Sequence, residues 1–170
     1  MNYEIVPISK KHIDGFWRAM DSVAKEGLYI AFLEAPSLEK TEYYIFEQLK
    51  NNMPHYVALV DGDVVGWCDI SSLNRPVFVH SGILGMGLIS KYRGNGIGKA
   101  LIQATLMKAK EIGLTRVELD VREKNTRAIE LYKKFGFIVE GIKRNSTRIN
   151  GIYENDLVMG LLLDSEEIIT

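Results

Sequence analysis

Gly94, Gly96 and Gly98 stand at alternate positions between an apolar run that ends near Ile89 and an amphipathic run that begins near Gly96. No other feature constrains the fold as much, because it requires a strand to pass through a glycine-rich turn into the amino terminus of a helix. The glycines let the backbone come close to a ligand. Free N–H groups and the positive end of the helix dipole then suit a pyrophosphate. Arg93 and Lys99 add positive charge. A sharp strand-to-helix turn with no ligand would need fewer glycines. Two familiar phosphate loops do not fit. A Walker A loop requires glycine where Arg93 stands and serine or threonine where Ala100 stands, and the dinucleotide fingerprint requires glycine where Lys99 stands.

Around this loop the chain alternates short elements. Ile5 to Ile8 reads as a strand, and Lys11 to Lys25 and Leu38 to Asn51 read as helices, the second with Tyr43, Phe46 and Leu49 at helical spacing. Gly27 to Pro36 between them is expected to be a loop. Tyr56 to Val60, the turn Asp61-Gly62-Asp63 and Val64 through Leu73 predict a hairpin that Asn74-Arg75-Pro76 ends. A strand is expected from about Phe78 to Ile89. A helix from Gly96 to Ile112 follows, with Ile97, Ala100, Leu101, Ala104 and Met107 on one face and Gly113 as its stop. Val117, Leu119 and Val121 alternate as a strand, and Asn125 or Thr126 caps a short helix that ends at Gly136. Phe137 to Arg144 and Tyr153 to Leu163 read as closing strands on either side of a polar loop. A strand-helix-strand unit in one sheet implies a parallel pair, so the expected class is a mixed α/β sheet flanked by helices.

The rest of the composition serves mainly to exclude. A length of 170 residues without repeat or linker predicts one domain over residues 1–170. With 21 basic and 22 acidic residues the net charge is -1, so no global field attracts nucleic acid or a membrane, and any anion site must be local. No apolar stretch is long enough to cross a bilayer. The lone Cys68 and an amino terminus without signal-peptide character predict a cytoplasmic protein. His12, His55 and His80 show no zinc spacing, so no metal is expected.

The pattern Arg93-x-x-Gly96-x-Gly98 resembles the pyrophosphate loop of Gcn5-related N-acetyltransferases, the GNAT family. Downstream, Asn125-x-x-Ala128-x-x-Leu131-Tyr132-x-x-x-Gly136-Phe137 is similar to that family's second signature. The resemblance implies the family's mostly antiparallel sheet with a splayed parallel pair, and acetyl-coenzyme A as co-substrate. It also implies direct attack by an amine, without a covalent enzyme intermediate. Cys68, inside a hairpin strand with no histidine partner, agrees with the last point. By the same resemblance the backbone of Leu88 and Ile89 would pair with the pantetheine arm. Arg93, Gly94, Asn95, Gly96, Ile97, Gly98 and Lys99 would hold the pyrophosphate, and Asn125, Ala128 and Tyr132 would also contact the cofactor. Gly82, Gly85 and Gly87 make close approach to the strand plausible.

Tyr132 would protonate the departing thiolate, although its position also fits packing, and Asn125 also fits a plain helix cap. The base is less determined, because the strand from His80 to Ile89 holds no carboxylate. His80 is one candidate. Glu118, with Asp120 on the same strand face, is another, acting through ordered water. The acceptor pocket is expected from the Gly27 to Pro36 loop, the second helix, Trp67 and the Arg144 to Tyr153 loop, with Tyr29, Phe32, Glu34 and Trp67 lining it. The expected acceptor is a small-molecule amine or amino acid, and a homodimer is compatible with the sequence. A protein acetyltransferase acting on a terminal amine or lysine, and a non-catalytic coenzyme A sensor, are the alternatives.

Overall fold

A computed structural model of the chain describes residues 1–163. The elements are β1 (Glu4–Pro7), α1 (Ile13–Ala24), α2 (Leu38–Lys50), β2 (His55–Val60), β3 (Asp63–Ser72), β4 (Ser81–Leu88), α3 (Ile97–Glu111), β5 (Arg116–Arg122), α4 (Thr126–Lys134), β6 (Ile138–Ile149) and β7 (Ile152–Leu162). Seven strands hydrogen-bond in the order β1-β2-β3-β4-β5-β7-β6. Among the described residues the one parallel pair is β4 with β5, as the strand-helix-strand pattern predicts, and its register covers Ser81 to Ile83 against Arg116 to Glu118. The chain divides into two compact units. One comprises residues 1–71 and 85–112, and the other residues 72–84 together with those from 113 onward.

In the first unit β1, β2 and β3 pair antiparallel. The β2–β3 turn places Asp61 at φ 51° and Gly62 at φ 85°, the left-handed pair that a tight hairpin needs. Helix α1 buries Ile13, Phe16, Ala19, Met20 and Val23 against Ile45, Val57, Val64 and Trp67. Helix α2 turns a different face inward from the expected one. Tyr43, Phe46 and Leu49 are exposed, whereas Thr41, Ile45 and Gln48 are buried. The polar pair tolerates this because its groups have partners: Thr41 Oγ1 donates to the Ser37 carbonyl at 3.1 Å and Gln48 Nε2 to the Ile70 carbonyl at 3.2 Å. Helix α3 is rotated from expectation in the same way. Met107 is exposed, and Ile102, Thr105, Leu106 and Ala109 complete the buried face, with Thr105 Oγ1 donating to the Cys68 carbonyl at 3.2 Å.

In the second unit the strand expected from Phe78 begins at Ser81, because Pro76–Phe78 forms a 3-10 turn that proline's fixed φ favours. Strand β5 pairs antiparallel with β7 from Arg116–Leu162 to Arg122–Asp156. The expected polar loop after Arg144 is strand: β6 continues to Ile149, and the turn is Asn150-Gly151, at φ 50° and 80°. Its polar composition reflects a strand exposed at nearly every position, while an irregularity between Lys143 and Thr147 interrupts the pattern. Gly136, at φ 91°, follows α4 as expected. No helix among the described residues is long and apolar enough to cross a membrane.

Candidate active site

The glycine turn has the geometry that its sequence calls for. Gly94 and Gly96 take φ of 89° and 83°, and Gly96 is the N-cap of α3 without any side-chain cap. A Cβ on Gly96 would meet only the Tyr3 hydroxyl, at 3.7 Å, so backbone conformation rather than crowding calls for glycine there. The first bond into the helix runs from Ala100 N–H to the Gly96 carbonyl at 3.1 Å. Between Arg93, whose N–H donates to the Ser90 carbonyl, and Ala100, no backbone N–H from Gly94 through Lys99 finds an acceptor among the described residues. Gly94, Asn95, Gly96 and Lys99 are exposed, while the Ile97 side chain is fully buried and anchors the first turn. The Asn95 amide donates back to the carbonyls of Tyr92 and Arg93 at 3.2 and 3.3 Å and holds the loop in shape. Six free donors at the positive end of a helix form an anion cradle.

The Arg93 side chain is engaged elsewhere. It donates to both carboxylate oxygens of Glu26 at 2.9 and 2.6 Å and through Nε to the Leu88 carbonyl at 2.8 Å, and it lies 4.6 Å from the Tyr29 ring centroid. Its charge is thus met by Glu26, and the side chain ties the loop to the ends of α1 and β4. Lys99 makes no ion pair among the described residues. The backbone groups expected to meet the pantetheine arm are partly engaged as well. Ile89 N–H donates to the Val65 carbonyl at 2.9 Å, and the Ile89 carbonyl accepts from Tyr92 N–H at 3.0 Å. Alternation along the strand leaves the Leu88 N–H pointing away from β3.

Trp67, expected in the acceptor pocket, is a core residue. It is 5% exposed and edge-on to Phe16, with ring centroids 5.5 Å apart. Its ring fills the space beside Gly87, where an added Cβ would lie 2.6 Å from Cζ3. Gly87 is therefore glycine for packing. Tyr29, Phe32 and Glu34 lie on the exposed segment between α1 and α2, which is anchored by Ala35 N–H to Asp21 Oδ1 at 3.0 Å and Trp17 Nε1 to the Pro36 carbonyl at 2.8 Å.

Sequence reasoning missed a buried polar cluster nearby. Asp69 of β3, 7% exposed, accepts from the Tyr44 hydroxyl and from Gln48 Nε2 at 3.4 Å, both through Oδ2. Burial pushes its carboxyl up to about 6, against which the two hydrogen bonds pull. His55 is paired with Asp69 in the β2–β3 register. Its ring nitrogens have no partner, and burial depresses its pKa to about 3. Burial also pushes the Cys68 thiol far above its usual range and keeps it unreactive. The signal was present in β3, which is buried at every position from Val64 to Ile70, because a carboxylate within such a run needs a reason.

In the second unit, Tyr132 of α4 is 6% exposed, with its ring 5.8 Å from that of Phe137. Asn125 Oδ1 accepts from Ala128 N–H at 3.2 Å and caps α4, and Ala128 is half-buried. His80 is exposed in the turn before β4, where its carbonyl accepts from Thr115 and Arg116 N–H at 2.9 and 3.2 Å. Glu118 is ion-paired to Arg116 at 3.0 Å, and the same guanidinium grips Glu140 at 2.5 Å. Asp120 pairs with Lys143 at 2.5 Å. Both carboxylates therefore already have cationic partners. No group of metal-ligating side chains occurs among the described residues.

A family model described as acetyltransferase (GNAT) family matches residues 17–137. An N-alpha-acetyltransferase of Sulfurisphaera tokodaii is 40% identical over 110 residues, covering 58% of this chain and 66% of the relative. The L-amino acid N-acetyltransferase AaaT of Escherichia coli is 36% identical over 98 residues, covering 57% and 60%. The chain thus spans just under two thirds of the length of these two. A putative [ribosomal protein bS18]-alanine N-acetyltransferase of Bacillus subtilis is 32% identical over 126 residues, covering 74% and 79%. The fold matches that of a GNAT superfamily phosphinothricin acetyltransferase from Sinorhizobium meliloti, solved in complex with acetyl-coenzyme A, with a TM-score of 0.89. That match has 20% identity and covers 95% of this chain and 89% of that one.

Proposed function

The chain belongs to the GNAT family, and from that premise we propose that it transfers the acetyl group of acetyl-coenzyme A to a primary amine of a small molecule or amino acid by direct attack. The observation that carries this reading is the run of six unpartnered N–H groups from Gly94 to Lys99 at the head of α3. A linked pair of phosphates is the ligand that such a row of donors fits. With the pyrophosphate held there, the Leu88 N–H, which points away from β3, would meet the pantetheine arm. The thioester supplies an activated acyl carbon; the protein orients it and manages two protons. One proton must leave the acceptor ammonium and one must reach the departing thiolate. Tyr132 serves the second need, since a phenol is protonated at neutral pH. The family resemblance assigns Asn125, at the start of α4, a cofactor contact as well.

A free amino acid or small amine as acceptor is supported by the relative named as an L-amino acid N-acetyltransferase. A second reading, a protein amino terminus, is favoured by the relative named for the alanine of a ribosomal protein. Thiol release from acetyl-coenzyme A across amino acids, polyamines, aminosugars, aminoglycosides and short peptides separates them. Release with free amino acids or small amines is expected. Release with peptides alone selects the protein acceptor, and tight coenzyme A binding with no release on any amine selects a sensor.

A further inference from the structure

An alkyl ammonium cannot attack until it loses a proton, and β4 offers no carboxylate from Ser81 to Leu88 to take it. The neighbouring strand does. Asp69 Oδ1 would lie 3.4 Å from a Cβ built on Gly85 of β4, and Gly85 is exposed. Its other oxygen is fixed by Tyr44 and Gln48 from α2, while Oδ1 accepts no hydrogen bond among the described residues. The carboxylate is therefore held rigidly on one side and left open on the other, beside a residue with no side chain to cover it.

We propose that Asp69 is the general base of the reaction, reaching the acceptor amine across the bare face of Gly85. This rests on the acetyl transfer proposed above. Asp69 Oδ1 takes one proton from the acceptor ammonium, and the freed nitrogen lone pair forms the N–C bond to the thioester carbon. The carbonyl π pair moves to oxygen and returns as the C–S bond breaks. The thiolate takes up the second nitrogen proton. Asp69 then gives its proton to solvent.

The surroundings suit the role. The titratable groups packed about Asp69 are Tyr44 from α2, His55 from β2 and Cys68 beside it on β3. Burial holds all three uncharged near neutral pH, raising Tyr44 and Cys68 and depressing His55. Asp69, at about 6, is ionised at pH 7. Burial raises its proton affinity above that of an ordinary aspartate, which brings it about a hundredfold closer to that of an alkyl amine.

The test uses the full chain, an alkyl amine or amino acid acceptor found by the thiol-release panel, and a hydrazide of the same skeleton, which is neutral at assay pH. Asp69→Asn is expected to lower kcat about 100-fold or more on the alkyl amine and less than about 10-fold on the hydrazide. On the alkyl amine it should abolish the rise of kcat/KM through pH 6, a rise that the hydrazide does not show because it brings no ammonium proton to remove, and it should change acetyl-coenzyme A binding by less than about twofold. Gly85→Ala, whose methyl fits at 3.4 Å, should cover Oδ1 and lower kcat on the alkyl amine with unaltered Tm, so the idea stays exposed even if Asp69→Asn folds poorly. Full activity of either variant on the alkyl amine, or an equal loss of Asp69→Asn on both acceptors, would overturn it. An inactive wild type would instead defeat the transfer reaction itself.

Discussion

Arg93 directs its guanidinium at the protein's own groups, two bonds to the Glu26 carboxylate and one to the Leu88 carbonyl. At this residue charge and shape make opposite predictions. If Arg93 acted as a positive charge for phosphate, Arg93→Lys would be silent. Lysine cannot reproduce a two-pronged carboxylate grip together with a bond to a carbonyl. With both side chains about one-fifth exposed, at 19% and 23%, the substitution should cost on the order of 1–2 kcal/mol in urea unfolding and raise KM for acetyl-coenzyme A. Tyr132 invites the complementary experiment. Tyr132→Phe keeps the ring that packs beside Phe137, so coenzyme A binding should persist while turnover falls about 100-fold, read by direct titration and steady-state rates. Unchanged turnover would remove Tyr132 from the proton path.

At the scale of the element, periodicity identified helices more reliably than it identified their inner faces. In α2 two sets interleave, Tyr43-Phe46-Leu49 and Thr41-Ile45-Gln48, and hydrophobicity alone selects the first. The second is buried because β3 presents the Ile70 carbonyl and the Asp69 carboxylate to Gln48, partners that no local pattern reveals. Ile45→Ala should therefore cost about 2–4 kcal/mol and Phe46→Ala less than about 1 kcal/mol in denaturant unfolding, the reverse of what side-chain size suggests. The hairpin β2–β3 and the entry to α3 were legible because their turns need glycine at left-handed φ, a demand that acts on single residues. The outer hairpin β6–β7 was half legible. Its exposed polar strand looks like a loop until Asn150-Gly151 is recognised as a two-residue turn.

For the whole molecule, the order of elements around one glycine turn was enough to infer a mixed sheet with a single parallel pair, and the strand order bears this out. The candidate site was readable where backbone chemistry carries it, from Gly94 to Lys99. It was not readable where tertiary neighbours decide: Trp67 is core because Phe16 and Gly87 receive it, and although a carboxylate in the apolar run of β3 is a signal, the partners that hold Asp69 come from α2. With a net charge of -1 no general field attracts an anionic cofactor, and the proposed function assigns its affinity to these local donors. The most direct test follows the backbone amides of Gly94, Gly96 and Gly98 by NMR during titration with coenzyme A. They should shift together and saturate at micromolar to low-millimolar ligand, with inorganic pyrophosphate moving the same three signals more weakly. Amides that stay in place at saturating coenzyme A, or a chain that does not bind it at millimolar concentration, would contradict the account.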